Sequence, residues 1–343
     1  MGNRGRAWII GIIVAVMVGI GIIGALWLRR GPGPSGGPHP GEAADVHFGL
    51  GVQESGALPI IAAERGLFRE EGLRCQVRDY VSGKRALHGM LADEVDIANT
   101  AAVPAVMQSF EQSDFRVVAQ VGTLTGMEKV VARKDRGIST PADLRGKVLG
   151  TQRGSAVHYF LHLFLLRHGM SEENAEMHYL KAESLPPALA EGQIAAYSMR
   201  EPYVSRGVEL LGEKAIVFGA PGIYYRTELL VVREGFLEEN PGAVRGMIRA
   251  LCRAETFARE HPEEAARLVA RRLGVPAEDI TGMWENFQLS VGLHQSLFNT
   301  LEAQARWAIQ CELTDADAVP DYLDFVVTDP LRVVKPGAVG IIE

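Results

Sequence analysis

The chain has 343 residues, of which 47% are hydrophobic and 22% charged, with 38 glycines and 17 prolines. This composition excludes intrinsic disorder, a collagen-like repeat and a small disulfide scaffold, and the length predicts two lobes of about 100 to 200 residues each. The first 30 residues contain four arginines and no acid, whereas in the remainder 31 basic residues face 42 acidic ones, a net charge of −11 that excludes nucleic acid as an expected partner.

An apolar segment opens the chain. From Ala7 to Leu28 no residue is charged, and this length is sufficient to cross a hydrocarbon core of about 30 Å. A secretory signal usually has a shorter apolar region and a small-residue cleavage site. We therefore expect residues 1–30 to be an uncleaved membrane anchor, with a removed signal peptide and a buried core helix as the alternatives.

The Gly/Pro-rich residues 31–45 predict a solvated linker between the anchor and a folded body. Six residues before the apolar segment are too few to form a domain. We therefore expect the body to lie on the periplasmic or extracellular side of the cytoplasmic membrane, held there by the amino-terminal helix.

Strands and helices alternate along the body, which is typical of an α/β fold. Apolar patterning predicts strands at 46–52, 73–81, 95–98, 116–121, 129–133, 147–151, 177–180, 194–199 and 226–232. Beyond Gly235 it predicts helices only, at 242–259, 262–272, 276–289 and 296–310. We expect this helical tail to pack back on the first lobe.

Four predicted strand-to-helix turns contain small polar residues. In open α/β sheets, ligands bind at the carboxyl ends of strands, where helix amino termini present unpaired N–H groups. Simple helix capping is the alternative for each turn. The turn with Gly154 and Ser155 is the best anion site, because a long apolar helix follows it. The candidate ligand-binding residues are Gln53, Ser55, Gly56, Ser82, Gly83, Asn99, Thr100, Gly154 and Ser155.

Three aromatic or titratable residues are weaker candidates for the same site. His158 lies near the start of the helix after Ser155, where it is a candidate to face a ligand; a solvated or packed histidine is the alternative. Tyr224 and Tyr225 precede a strand and are candidates for aromatic walls, with ordinary packing as the alternative.

Metal and cofactor motifs are missing from the sequence. Cys75, Cys252 and Cys311 are far apart, and His162 and His168 have no metal-binding partner at useful spacing. We find no nucleophile elbow, zinc-protease motif, P-loop or dinucleotide-binding glycine motif. The sequence predicts a protein that is not an enzyme and holds no metal or cofactor, and it leaves a Cys252–Cys311 disulfide open.

Between residues 46 and 211 the chain resembles the solute-binding proteins of ABC importers for nitrate, sulfonates, taurine and thiamine precursors. The resemblance rests on the order and spacing of several short motifs. These are Ala62-Ala63-Glu64-Arg65-Gly66-Leu67-Phe68, Glu71-Gly72-Leu73, Ser82-Gly83, Asp96-Ile97-Ala98, Asp143-Leu144-Arg145-Gly146-Lys147, Gly154-Ser155 and Glu201-Pro202-Tyr203.

The resemblance implies a type II periplasmic binding fold, with lobe 1 at 46–130 and 230–343 and lobe 2 at 131–229. It makes 129–133 and 226–232 the strands that cross between the lobes, and it adds Glu201 and the region 224–227 to the pocket. Arg200 stands where the family often has tryptophan. We hypothesise that Arg200 favours an anionic solute; a surface arginine is the alternative, and Glu201 is a candidate helix cap.

The function implied by the resemblance is capture of a small, anionic solute by closure of the two lobes, without covalent chemistry. The expected partners are an ABC permease and its ATPase, and a monomer is expected. Two other functions stay open. The same fold occurs in enzymes, namely lyases of menaquinone synthesis and a thiamine-pyrimidine synthase, and it also suits a ligand-sensing domain.

Overall fold

The computed structural model describes residues 44–342. The predicted anchor at 1–30 and most of the predicted linker lie outside the described residues. Within residues 44–342, no helix has both the length and the apolar character needed to cross a membrane. Cys75, Cys252 and Cys311 are all free thiols.

The first sheet has six strands. Ala44–Gly51 pairs in parallel with Leu73–Tyr80 on one side and with Ile97–Ala101 on the other. Tyr225–Arg233 then runs antiparallel between Ile97–Ala101 and the long strand Phe115–Thr125. The short strand Phe287–Gln288 completes the far edge.

The second sheet has five strands on a closely similar plan. Val148–Thr151 pairs in parallel with Glu176–Tyr179 and Ala196–Met199. Lys129–Arg133 runs antiparallel between Ala196–Met199 and Ala215–Gly219. In both sheets, one strand from a distant part of the chain is therefore inserted antiparallel into a parallel set.

The chain passes between the sheets at residues 126–128 and 220–224. The strands Lys129–Arg133 and Tyr225–Arg233 do not cross, contrary to the prediction, because each is hydrogen-bonded within a single sheet. The crossings are short irregular segments that precede these strands. The predicted lobe boundaries at 130/131 and 229/230 are close to the crossings, although the second one falls within Tyr225–Arg233.

Helices cover both faces of each sheet. Because of this cover, all five residues of Ile97–Ala101 are buried. The larger core lies around the first sheet, and two smaller cores lie on the second. The α-helices of the described residues are Ala57–Glu64, Leu67–Glu70, Gly83–Leu91, Ala102–Ser109, Ala156–Arg167, Leu185–Glu191, Tyr203–Leu211, Glu234–Glu239, Pro241–Glu260, Pro262–Leu273, Ala277–Thr281, Ser296–Gln310 and Asp329–Val334.

The carboxyl-terminal helices pack on the first lobe, as predicted. Pro241–Glu260 contacts Ala57–Glu64, and Ser296–Gln310 contacts Ala102–Ser109. The predicted helix at 276–289 is wrong beyond residue 281, because Phe287–Gln288 instead pairs with the edge of the first sheet. Pairing with an existing strand satisfies backbone groups that an isolated helical turn would leave exposed.

Candidate functional site

A cleft of about 440 Å³ lies between the two sheets. Its walls come from segments that follow the carboxyl ends of strands in both sheets, the position where α/β proteins bind ligands. The lining residues are Gln53, Ser82, Lys84, Arg85, Ala101, Pro104, Gln152, Arg153, Ser155, Ala156, Val157, Tyr179, Leu180, Lys181, Arg200 and Arg226.

The lining of the cleft is cationic, although Arg226 is paired with the buried Glu128 at 2.8 Å. Among residues 44–342, six of the lining side chains are basic and none is acidic; the basic ones are Lys84, Arg85, Arg153, Lys181, Arg200 and Arg226. Low-dielectric walls with charges of one sign focus the electrostatic field in a cleft. The arrangement therefore favours an anion, although the body as a whole is acidic.

Three helices begin at the cleft wall. They are Gly83–Leu91, Ala102–Ser109 and Ala156–Arg167. The hydroxyl oxygen of Ser155 caps the third helix by accepting from the backbone N–H of His158 at 3.4 Å. Helix amino termini carry a partial positive charge and unpaired N–H groups, so the three helices add to the field of the basic side chains.

Two polar contacts bridge the cleft. Arg200 Nη2 donates to Gln53 Oε1 at 3.0 Å, which joins the end of a second-sheet strand to the turn after the first strand. Lys84 Nζ lies 3.4 Å from the carbonyl oxygens of Arg153 and Gly154. The two walls are thus already in contact around the cavity.

Arg200 keeps its charge inside this bridge. Burial lowers the pKa of its guanidinium, and Glu54 acts in the opposite direction. Since the ordinary pKa of a guanidinium exceeds about 12, the group remains protonated at neutral pH. Arg200 is half-buried and lines the cleft, as the sequence hypothesis requires; its role in ligand binding stays a prediction.

A buried polar layer supports the floor. Asn99 Nδ2 donates to Glu228 Oε1 at 2.6 Å, and Asn99 Oδ1 accepts from the backbone N–H of Gly51 at 2.9 Å. Ser55 accepts from Gln53 Nε2 at 2.7 Å. Burial raises the pKa of Glu228. The side chains of Asn99 and Ser55 are therefore hydrogen-bonded to other groups of the protein beneath the cleft.

Asn99 and Thr100 were predicted to form a turn, but they belong to the strand Ile97–Ala101. Both are fully buried. The prediction overlooked the pairing with Tyr225–Arg233, which extends the strand beyond the apolar run that marked it in the sequence. The following helix, Ala102–Ser109, supplies Pro104 to the cleft wall instead.

His158 is buried and turned away from the cleft. Its Nδ1 accepts from the backbone N–H of Gly154 at 3.2 Å, and its Nε2 lies 3.0 Å from Glu172 Oε2. Both ring nitrogens are therefore engaged. The imidazole packs edge-to-face against Trp307 of the helical tail.

Tyr224, Tyr225 and Glu201 also lie away from the cleft lining. Tyr224 is buried against Tyr159 in an edge-to-face pair, and Tyr225 is half exposed. Glu201 accepts from the backbone N–H of Ser205 at 3.0 Å, which is the capping role weighed as the alternative for this residue.

Four of the predicted site residues line the cleft, namely Gln53, Ser82, Ser155 and Arg200. Gly83 lies directly behind the wall, where an added Cβ would be 2.9 Å from the Cα of Thr100. The remaining predicted residues do not line the cleft; they are Ser55, Gly56, Gly83, Asn99, Thr100, Gly154, His158, Glu201, Tyr224 and Tyr225.

The sequence reasoning missed most of the cations. Lys84 and Arg85 directly follow the turn at Ser82. Their position just after a predicted strand could have marked them as candidates for the cleft wall. The sequence analysis included Arg226 only as part of the region 224–227, which the resemblance added to the pocket. Lys181 follows Glu176–Tyr179, a strand that was predicted without attention to the residues after it.

Comparisons with known proteins agree with this architecture. A family model described as NMT1/THI5 like matches residues 56–265. A Bacillus subtilis (strain 168) protein named for binding aliphatic sulfonates is 26% identical over 253 residues, which cover 72% of this chain and 75% of that protein. The taurine-binding periplasmic protein of Escherichia coli (strain K12) is 25% identical over 255 residues, 71% of this chain and 78% of that one.

A solved structure supports the fold. The alkanesulfonate-binding protein SsuA from Xanthomonas axonopodis pv. citri, bound to MOPS, superposes with a TM-score of 0.68 at 19% identity. The match covers 87% of this chain and 98% of that one. The predicted α/β fold of two lobes is confirmed.

Proposed function

Because the chain belongs to the NMT1/THI5-like family, we propose that it is the extracytoplasmic solute-binding component of an ABC importer and performs no covalent chemistry. The relatives named above are binding proteins of the sulfonate and taurine class. The observation that carries the proposal for this chain is the cationic cleft between the two sheets, with six basic side chains in its lining.

The solute that fits the cleft best is a small organic sulfonate. A sulfonate group has three acceptor oxygens, which suit guanidinium and helix N–H donors together. The walls also include apolar surface from Ala101, Pro104, Val157 and Leu180. This surface gives a short carbon chain a place to bind, whereas nitrate would leave it unused.

Binding works by closure of the two lobes over the solute. The chain passes between the two sheets at residues 126–128 and 220–224, and these short segments serve as the hinge. Micromolar affinity corresponds to about 8 kcal/mol, which several charge-assisted hydrogen bonds in a closed cleft supply after the cost of closure.

The remaining parts of the proposal concern delivery. Residues 1–30 form the membrane anchor and 31–45 the tether, so that the body stays near a permease and its ATPase on the outer side of the cytoplasmic membrane. The receptor acts as a monomer. The anchor is tested by fractionation of cells that express the full chain, in which alkaline extraction releases a cleaved form but leaves an anchored one in the membrane.

Isothermal titration with taurine, ethanesulfonate, nitrate and an uncharged heterocycle tests the solute class. We expect the organic sulfonates to bind best, with an affinity that falls as salt concentration rises. Absence of heat from every anion, with protein shown to be folded by circular dichroism, would overturn the proposal. Turnover of a sulfonate by the purified protein would favour the enzyme alternative.

A further inference from the structure

A cluster of potential metal ligands lies behind the cleft wall, where the helical tail contacts the second lobe. It consists of His162 on helix Ala156–Arg167, Glu172 in the turn after that helix, and Cys311 at the end of helix Ser296–Gln310. His162 is buried, and Glu172 and Cys311 are partly buried. The sequence showed no partner for His162, because the thiol comes from 149 residues further along the chain.

The three ligand atoms form a compact triangle. His162 Nδ1 is 3.3 Å from Glu172 Oε1, and Cys311 Sγ is 3.7 Å from His162 Nδ1 and 3.6 Å from Glu172 Oε1. Tetrahedral zinc with its usual bond lengths would place nitrogen and oxygen about 3.3 Å apart, nitrogen and sulfur about 3.6 Å, and oxygen and sulfur about 3.5 Å. Each observed separation is close to the corresponding edge of a zinc tetrahedron.

A second layer of hydrogen bonds holds the carboxylate in place. His158 Nδ1 accepts from the backbone N–H of Gly154, so the proton of the neutral ring is on Nε2 and is donated to Glu172 Oε2 at 3.0 Å. Glu172 Oε1 is directed towards His162 and Cys311 and also accepts from Trp307 Nε1 at 3.4 Å. Outer hydrogen bonds that orient a ligand are a regular feature of protein metal sites.

We propose that His162, Glu172 and Cys311 form a binding site for a divalent zinc-type cation, with the fourth position open to water. Nitrogen, oxygen and sulfur ligands in a tetrahedral arrangement select zinc over magnesium or calcium, which require oxygen ligands. A hydrogen-bonded cluster that holds no metal is the competing interpretation, and it predicts the same contacts without any affinity for zinc.

An ion at this site would tie the helical tail to the second lobe. Trp307 lies in the last turn of helix Ser296–Gln310, four residues before Cys311. Its ring already packs against His158 and Tyr159 of the second lobe. Helix Ser296–Gln310 also contacts Ala102–Ser109 of the first lobe. Zinc would therefore stabilise the present arrangement of the tail between the two lobes. The inference does not rest on the proposed function, since zinc binding is measured without a solute.

Cobalt titration of the full chain, after metal removal with a chelator, tests the site. We expect one equivalent of cobalt per chain, an ultraviolet thiolate-to-cobalt band and intense visible bands of a tetrahedral site, all displaced by zinc. Cys311→Ser should abolish the thiolate band. His162→Gln and Glu172→Gln should each weaken zinc binding at least about tenfold.

Matched variants separate this site from other thiols and imidazoles. Cys252→Ser and His168→Gln, which change residues outside the cluster, should bind zinc like the unaltered chain. Zinc should also slow alkylation of Cys311 but not of Cys252 in the unaltered chain, a measurement that needs no variant to fold. The proposal is overturned if the thiolate band is missing. It is also overturned if the cluster variants bind zinc as the unaltered chain does and zinc does not slow alkylation of Cys311.

Discussion

Replacement of Arg200 by alanine is expected to weaken binding of an organic sulfonate by about 10- to 150-fold. Arg200 lines the cleft and is half-buried, so that its guanidinium is available to a bound anion. A hydrogen bond to a charged group contributes about 1.5 to 3 kcal/mol. Each 1.4 kcal/mol changes a dissociation constant by about tenfold, which gives the expected range.

Neighbouring charged groups limit the loss of sulfonate affinity in Arg200→Ala to this range of about 10- to 150-fold. Glu54 lies near enough to Arg200 to oppose the burial that lowers the pKa of the guanidinium, so it also offsets part of its positive charge. Five other cations line the cleft and remain in the variant. The solute should therefore still bind, but more weakly and with a smaller dependence on salt concentration.

Titration calorimetry with taurine and ethanesulfonate at two salt concentrations measures the effect. Arg200→Lys keeps the charge but loses the planar fork, so its affinity should lie between those of the unaltered chain and Arg200→Ala. Arg206→Ala is the matched control, because Arg206 is an exposed arginine on the next helix that pairs with Glu209 outside the cleft. Affinity of Arg200→Ala within twofold of the unaltered chain would refute the role given to this residue.

Three further predictions concern the framework of the cleft. Gly83→Ala should lower stability by about 1 to 3 kcal/mol, because its Cβ would come within 2.9 Å of the Cα of Thr100; thermal melting measures this. Glu128→Gln should cost about 1 to 3 kcal/mol in urea unfolding, because it removes the carboxylate charge 2.8 Å from the buried guanidinium of Arg226 and leaves only an amide oxygen as acceptor. Hydrogen bonds from backbone N–H groups lower the pKa of Asp143 to about 2. Its stabilising contribution should therefore be complete above about pH 5 and lost as pH falls through about 2, so Asp143→Ala should reduce melting temperature at pH 7 and reduce it progressively less as pH falls from about 4 to below about 2.

Each of these predictions has its own control. Gly235→Ala adds a methyl group where no atom lies within 4 Å, and it should leave the melting temperature within a degree or two. For the ion pair, Glu128→Gln combined with Arg226→Met should be more stable than Glu128→Gln alone. For the cap, Asp317→Ala at an exposed position tests whether any lost carboxylate gives the same pH profile; equal profiles would contradict the assignment to Asp143.

The fold was largely readable from the sequence, since strand and helix periodicity depends on burial of local faces. The predicted strand at 129–133 and the helix at 296–310 match the structure residue for residue. The strand Ala215–Gly219 was missed because it lies at a sheet edge with mixed exposure, so it has no regular apolar pattern. The helix predicted at 276–289 failed because pairing with the sheet overrode its local pattern.

The candidate site was readable only in outline. Gln53, Ser82 and Ser155 were found because they follow strands and precede helices, a local signal. His158 has the same local position, but contacts with Glu172 and Trp307 hold it away from the cleft. No spacing in the sequence distinguishes these cases, because the deciding partners are not neighbours along the chain.

The sequence alone determined the α/β class and the repeated strand-to-helix turns, since each of these depends on residues within one turn or strand. The tertiary structure alone decided which of those turns face one another. Arg200 meets Gln53 across 147 positions, and Cys311 meets His162 across 149. Such contacts arise from the way two sheets pack together, which depends on the buried surfaces of the whole chain and not on any short segment of it.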